Sequence, residues 1–94
     1  MTEVLSDDLA GLAARARSGD AEAFRQVIER THPLLYRLVL HLLGDRDEAD
    51  DVVQETYIRA WSRREELRDP AAALGWLCRI GRNLASDRRR WWQR

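Results

Sequence analysis

The sequence predicts an all-α fold, a compact bundle of about four helices. Apolar residues recur at helical spacing in every segment, capping and stop residues separate the segments, and no segment alternates polar and apolar residues as a strand does. Of the 94 residues, 45% are apolar, so one small domain with a modest core is expected over residues 1–94.

The first two predicted helices are separated by a glycine and an aspartate. The first helix is expected to end at Gly19, and Asp20 is expected to cap the second. The candidate N-caps of the first helix are Ser6, Asp7 and Asp8. The second helix should run to Gly44 with a kink or a break at Pro33, which lacks a backbone N–H. The apolar stripe continues beyond Pro33, which favours a kink.

The third and fourth predicted helices have equally clear start signals. Asp45 or Asp47 is expected to cap the third helix. Acids are frequent in its first turns, where the positive end of the helix dipole stabilises them. Its expected buried face consists of Ala49, Val52, Val53, Thr56, Tyr57 and Ala60. Asp69 and Pro70 suit the N-cap and first helical position of the fourth helix. Its apolar stripe consists of Ala73, Leu77, Ile80 and Leu84.

The net charge of zero conceals two halves of opposite sign. Residues 1–55 carry 12 acids and 6 Arg, a net charge of −6, whereas residues 56–94 carry 4 acids and 10 Arg, a net charge of +6. This asymmetry suggests two partners of opposite charge, one of them plausibly nucleic acid.

No feature of the sequence indicates secretion or a membrane span. The longest apolar runs fall short of the roughly 20 residues that cross a bilayer, and the start MTEVLSDDLAG lacks the basic flank and apolar stretch of a signal peptide. The single Cys78 cannot form an internal disulfide. We therefore expect a cytoplasmic protein.

The acidic stretch DRDEADDVVQETYIRAW, residues 45–61, raises the question of catalysis. A DEAD-box ATPase is excluded, because the chain contains no Lys for a phosphate-binding loop. A metal site remains an alternative, since Asp47, Asp51 and Glu55 recur on one helix face, but it would require a second acidic helix. A merely solvated helix N-terminus and a docking face for another protein are the other two interpretations.

Nucleophilic catalysis is not indicated either. Cys78 lies on a helix away from His32 and His41 and is typical of a small core thiol. We predict no enzymatic activity, no cofactor and no bound metal.

Three stretches of this chain together resemble region 2, the N-terminal domain, of extracytoplasmic-function sigma factors of bacterial RNA polymerase. They are "GD…AF" early, "DEADDVVQETYIRAW" in the middle and "WLCRIGRNLASDRRR" late, in the order and spacing of that family. The resemblance covers nearly the whole chain and implies that it docks on core polymerase and recognises and melts the promoter minus-ten element.

The middle motif of that family docks on the clamp-helix coiled coil of the polymerase β′ subunit. Carried over by position, the resemblance implies five contacts in this chain, Asp51, Gln54, Glu55, Tyr57 and Trp61. Exposed carboxylates beside an aromatic ring suit an Arg-rich coiled coil, so the docking face is the interpretation that we favour for the acidic stretch.

The late motif of the family captures flipped bases of the non-template strand. Asn83 matches the family's asparagine, whose amide can pair with a base edge. Leu67 occupies the position of a frequent Phe, and Trp76 that of the melting-region tryptophan, although core packing is an equal alternative for Trp76. The implied DNA-binding residues are Leu67, Arg68, Trp76, Arg79, Arg82, Asn83, Arg88, Arg89 and Arg90. Of these, Arg79, Arg82, Arg88, Arg89 and Arg90 would form a basic strip that contacts phosphates.

The sequence departs from the family in two places. The loop before the fourth helix, LRDPAAALGWL, lacks the usual aromatic residues, and Gly81 replaces a usual Ala, which weakens the helix by roughly 1 kcal/mol and would permit a close approach. The family's C-terminal helix-turn-helix domain is not in this chain, which suggests an excised domain. Neither Trp91 nor Trp92 is explained by the motif.

A second function class stays open. The chain could be a helical interaction module whose main ligand is a protein such as an anti-sigma factor, with the basic strip incidental.

Overall fold

The computed structural model describes the backbone of residues 3–92 and the side chains of residues 9–92. Within that part, four helices follow one another: α1 (Glu3–Arg17), α2 (Ala21–Leu43), α3 (Arg46–Ser62) and α4 (Ala73–Trp92). Two short 3₁₀ turns, Arg64–Glu66 and Pro70–Ala72, lie between α3 and α4. The predicted all-α bundle of four helices is confirmed.

The turn between α1 and α2 has the glycine and the aspartate cap that the sequence predicts. Gly19 has a φ of 106°, a left-handed conformation that glycine adopts without strain. Asp20 caps α2 as predicted, because its Oδ1 accepts a hydrogen bond from the Ala23 N–H at 3.1 Å, and this bond lowers the pKa of the Asp20 carboxyl. The predicted start of α1 is wrong, since the helix begins at Glu3. The side chains of the three candidate caps, Ser6, Asp7 and Asp8, lie outside the described residues.

Helix α2 continues across Pro33, so the predicted alternative of a break is wrong. Pro33 is exposed, and water can therefore solvate the carbonyl that loses its intrahelical partner. The helix ends where predicted, at Gly44, whose φ is 71° and whose N–H donates to the Leu40 carbonyl at 2.7 Å.

The starts of α3 and α4 use the two predicted aspartate caps. Of the two candidates for α3, Asp45 is the N-cap, and its Oδ1 accepts from the Glu48 N–H at 3.0 Å. Asp69 accepts from the Ala71 N–H at 3.0 Å, and Pro70 follows it as expected. The first turn is 3₁₀, however, and α4 itself begins at Ala73.

Helix α2 is the centre of the bundle and contacts the other three helices. Leu35 and Val39 of α2 are fully buried, and Gly81 of α4 lies against them. A Cβ added at Gly81 would lie 3.0 Å from Leu35 Cδ1, 3.4 Å from Val39 Cγ2 and 3.5 Å from Thr56 Oγ1. Gly81 therefore permits the close approach of α4 to both α2 and α3.

The hydroxyls buried between α2 and α3 all have hydrogen-bond partners. Thr31 Oγ1 lies 2.8 Å from the Val27 carbonyl and 2.7 Å from Tyr57 Oη. Because the carbonyl can only accept, Thr31 donates to it and Tyr57 donates to Thr31. Thr56 likewise donates to the Val52 carbonyl at 2.7 Å. No helix in the described residues combines the length and the apolar character that a bilayer crossing requires.

Candidate functional site

The outer face of α3 combines polar residues with one exposed apolar side chain. Asp51, Gln54 and Ile58 follow at three- and four-residue spacing, which places them on one side of the helix. Ile58 is 65% exposed, a high value for a residue of its size. We call Asp51, Gln54 and Ile58 the docking face, after the role that the sequence resemblance implies for Asp51 and Gln54. The sequence analysis missed Ile58, whose only signal was an apolar residue off the buried stripe of α3.

The five predicted polymerase contacts do not share one environment. Asp51 and Gln54 are exposed, whereas Glu55 forms an ion pair with Arg59 at 3.2 Å. Tyr57 is only 7% exposed, and Trp61 is half-buried. The structure thus brings Asp51 and Gln54 to the docking face and turns Tyr57 inward.

Tyr57 and Trp61 line a largely apolar groove of about 590 Å³ between α2 and α3. Phe24 packs against both rings, with centroids 6.3 Å from Tyr57 and 5.1 Å from Trp61. His32 stacks over Tyr57 at 6.5 Å. Burial raises the pKa of Tyr57, and the hydrogen bond with Thr31 offsets only part of that rise. The ring therefore stays a neutral donor, and its hydroxyl is engaged inside the bundle.

Arg64 was not singled out by the sequence analysis, although it supports the same end of α3. Its guanidinium carbon lies 4.2 Å from the centre of the Trp61 ring, and Nη1 donates to the Trp61 carbonyl at 2.9 Å. These contacts fix the Trp61 ring at the end of the groove.

The outer side of α4 carries four of the five arginines of the predicted strip, Arg79, Arg82, Arg89 and Arg90. We call these four the basic strip. All four are exposed, and the first three have no ion-pair partner within the described part of the chain. Arg90 pairs with Asp87. Unpaired arginines at helical spacing are free to contact successive phosphates.

Asn83 lies beside the basic strip, in a shallow depression of about 500 Å³ that Leu42 and Ser86 also line. The side chain of Asn83 is exposed, and its amide makes no hydrogen bond to any described residue. Its donor and acceptor are therefore both available to a ligand.

Arg88 is separate from the basic strip. It follows Arg79 by nine residues, about two and a half helical turns, and so points to the opposite side of α4. There it is half-buried and forms an ion pair with Glu48 of α3. The predicted grouping of Arg88 with the strip is wrong in geometry, because its charge is already paired across the bundle.

The loop between α3 and α4 presents Arg68 and buries Leu67. Leu67 is only 6% exposed and belongs to the core, so in this state its side chain is not presented to a base. Arg68 is exposed. Trp76 is half-buried and packs against the core, in line with the packing alternative. The sequence analysis missed Arg17, whose Nη1 donates to the Leu67 and Arg68 carbonyls, because its partners are fifty residues away.

Trp91 and Trp92 are exposed at the end of α4. They line a hollow of about 470 Å³ shared with Arg59 and Arg88, on the α3 side of the helix. They therefore lie apart from the depression around Asn83.

The remaining chemistry-bearing residues form no catalytic constellation. Within residues 9–92, no three His, Cys, Asp or Glu side chains come together as metal ligands would. Cys78 is half-buried, and burial raises the pKa of its thiol, while nearby Arg82 lowers it by less. A raised pKa keeps the thiol protonated and poorly nucleophilic.

The amino-acid sequence matches a known class of transcription protein. The family model for sigma-70 region 2 matches residues 27–94, and the chain belongs to this family. Its curated relatives are extracytoplasmic-function sigma factors, as the sequence predicted. Members of this family regulate transcription and are not enzymes.

Three relatives illustrate the similarity. The chain is 40% identical over 76 residues to the extracytoplasmic-function sigma factor SigL of Mycobacterium tuberculosis, covering 80% of this chain and 43% of SigL. It is 34% identical over 93 residues to the sigma factor NccH of Alcaligenes xylosoxydans xylosoxydans, covering 99% of this chain and 49% of NccH. It is 33% identical over 74 residues to the extracytoplasmic-function sigma factor SigW of Bacillus subtilis, covering 79% of this chain and 40% of SigW.

The chain spans less than half the length of these relatives. No solved structure gives a significant match.

Proposed function

We propose that this domain acts in transcription initiation by docking on the β′ clamp helices of core RNA polymerase and by holding the melted non-template strand of the minus-ten element. The observation that carries the proposal is that the docking face on α3 and the basic strip on α4 consist of different exposed residues, within one bundle whose helices contact each other directly. A domain of this kind would act in the cytoplasm, where the polymerase transcribes.

Docking is supported by the composition of the docking face. Ile58 supplies an exposed apolar centre, and Asp51 and Gln54 supply a polar rim, the arrangement that productive protein interfaces use. Glu55 can join this contact if its pair with Arg59 opens. Tyr57 and Trp61 contribute indirectly, because their rings line the groove between α2 and α3 and stabilise its shape.

Strand capture is supported by the free amide of Asn83 beside unpaired arginines. Phosphate contacts from the basic strip supply affinity without regard to sequence. An amide that donates and accepts at once supplies sequence preference by pairing with a flipped base. Leu67 and Trp76 contribute by packing in or against the core. Arg68, exposed on the loop between α3 and α4, adds a guanidinium whose paired donors can read a base edge.

The test is fluorescence anisotropy at low salt with labelled single strands of minus-ten-like sequences and matched duplexes. We expect one preferred single strand, and Asn83→Ala should weaken its binding by about 10-fold, in line with the roughly 1–3 kcal/mol of a good amide–base contact. Ser62→Ala, at an exposed position at the end of α3 and outside the depression, is the control and should bind as the parent does. Equal binding of every sequence by the parent domain would refute strand reading.

The apolar groove between α2 and α3 favours a second candidate function, that of a module whose main ligand is another protein such as an anti-sigma factor. In that case, nucleic-acid binding would be weak, uniform and abolished by salt, while a helical partner would occupy the groove. The same anisotropy experiment separates the two functions.

A further inference from the structure

The loop between α3 and α4 is held by a residue from the other end of the sequence. Arg17, at the last position of α1, extends its guanidinium to the loop, where Nη1 lies 2.8 Å from the Leu67 carbonyl oxygen and 2.9 Å from that of Arg68. One nitrogen thus donates both of its hydrogens to two successive carbonyls. Hydrogen bonds from a charged donor are about twice as strong as neutral ones.

This contact leaves the backbone of residues 67–69 little freedom. The Leu67 side chain is anchored in the core on one side of Arg68, and on the other side the Asp69 carboxylate accepts from the Ala71 N–H at 3.0 Å. The two bonds from Arg17 fix the orientation of the peptide planes between these anchors. Arg68, whose own side chain is exposed, is therefore directed outward by contacts that its neighbours make.

We propose that Arg17 is a positioning residue for nucleic-acid reading, acting through the loop at residues 67–69 rather than by touching the strand. This inference rests on the proposed function. A loop held in advance loses less conformational entropy when a strand binds, so a rigid loop discriminates better between sequences than a mobile one. The planar guanidinium suits the role, because its donors point in fixed directions whereas the ammonium of Lys rotates.

The experiment compares Arg17→Met with Arg15→Met. Both variants remove one positive charge from the same helix, but Arg15 contacts only Asp20, at 3.4 Å, and does not reach the loop. Binding of the preferred single strand and of a scrambled strand is measured by anisotropy, together with docking on a clamp-helix peptide. Docking uses the outer face of α3 and reports whether the bundle remains folded.

We expect Arg17→Met to weaken binding of the preferred strand by about 10-fold, the loss typical of a charged hydrogen bond, with little change for the scrambled strand or for docking. Arg15→Met should weaken the binding of both strands slightly and to the same extent. Arg17→Lys, which keeps the charge but lacks the fixed fork of donors, should bind the scrambled strand as the parent does and should not restore the preference.

Three outcomes would overturn the positioning role. Undiminished discrimination in Arg17→Met would mean that the loop needs no support from α1. Complete restoration by Arg17→Lys would mean that charge alone suffices, and parallel loss of docking and strand binding would assign Arg17 to the stability of the bundle. A parent domain without any sequence preference would instead refute the proposed function.

Discussion

At the scale of single residues, Tyr57 illustrates how a motif position and its environment diverge. The family resemblance assigned it to the polymerase contact, and the helical stripe assigned it to the core. The structure buries its ring and engages its hydroxyl with Thr31, which in turn donates to the Val27 carbonyl. Asp51, by contrast, has a free and exposed carboxylate on the same helix.

We therefore expect Tyr57→Phe and Asp51→Arg to have opposite effects. Tyr57→Phe should lower the free energy of unfolding by about 1 kcal/mol, the net value of one buried hydrogen bond, and leave clamp-helix docking unchanged. Asp51→Arg should abolish docking and change stability by less than about 0.5 kcal/mol, as surface substitutions do. Urea unfolding and anisotropy with a clamp-helix peptide measure both quantities; a docking defect in Tyr57→Phe would show that the Tyr57 hydroxyl contributes to docking.

Other residues mark the limit of reading a sequence at this scale. The exposure of Asn83 and the packing of Trp76 follow from helical periodicity, which uses only neighbouring residues. The contacts of Arg17 and Arg88 do not follow from helical periodicity, because each side chain reaches another element whose position depends on the whole bundle. The one-residue difference between Arg88 and Arg89 places them on different sides of α4.

At the scale of elements, α4 contains two glycines in contrasting surroundings. A Cβ at Gly75 would meet no atom within 4 Å, whereas one at Gly81 would lie 3.0 Å from Leu35 Cδ1. Both positions are helical, so replacing either by Ala removes a similar helix-propensity cost. The two substitutions therefore differ only in what the new methyl group meets.

Gly75→Ala should raise the free energy of unfolding by roughly 0.5–1 kcal/mol through helix propensity alone. The free energy of unfolding of Gly81→Ala should be at least about 1 kcal/mol lower than that of Gly75→Ala, because the new methyl group at residue 81 overpacks the core and offsets the same gain in helix propensity. Urea unfolding of the two variants measures the difference directly. Equal stabilisation by both would mean that Leu35 moves aside without cost.

The helices themselves were predictable to a large extent from their ends. Asp20, Asp45 and Asp69 act as caps because each is followed by a backbone N–H that its carboxylate can reach, a local property. The start of α1 and the 3₁₀ form of the Pro70 turn were not predictable. Neither depends on a cap signal alone, and the Pro70 turn also packs against α1, which is distant in sequence.

At the scale of the whole molecule, the two sequence halves of opposite charge are joined by the ion pairs Glu48–Arg88 and Glu55–Arg59. The Glu48–Arg88 pair joins the two halves, whereas Arg79, Arg82 and Arg89 have no acidic partner within the described residues. The formal charge of the basic half is therefore larger than the unpaired positive charge that is available to a nucleic acid.

Adjacent arginines should accordingly differ in their effect on salt dependence. Arg89→Ala should reduce the slope of log K against log salt for single strands by about 0.7, the value for one phosphate contact. Arg88→Ala should leave the slope nearly unchanged and instead destabilise the bundle, since Glu48 loses its half-buried partner. Anisotropy titrations at several salt concentrations, with urea unfolding, check both; equal slopes for the two variants would contradict the separation of Arg88 from the strip.

The close approach that Gly81 allows has a mechanical consequence. Because α4 lies in contact with both α2 and α3 at that point, it has no room to slide along them without pushing Leu35 aside. A load applied to α4 is therefore passed to α2 and α3 with little sliding between the helices. Under the proposed function, stiffness at this crossing would make the strand site on α4 and the docking face on α3 move as one rigid body.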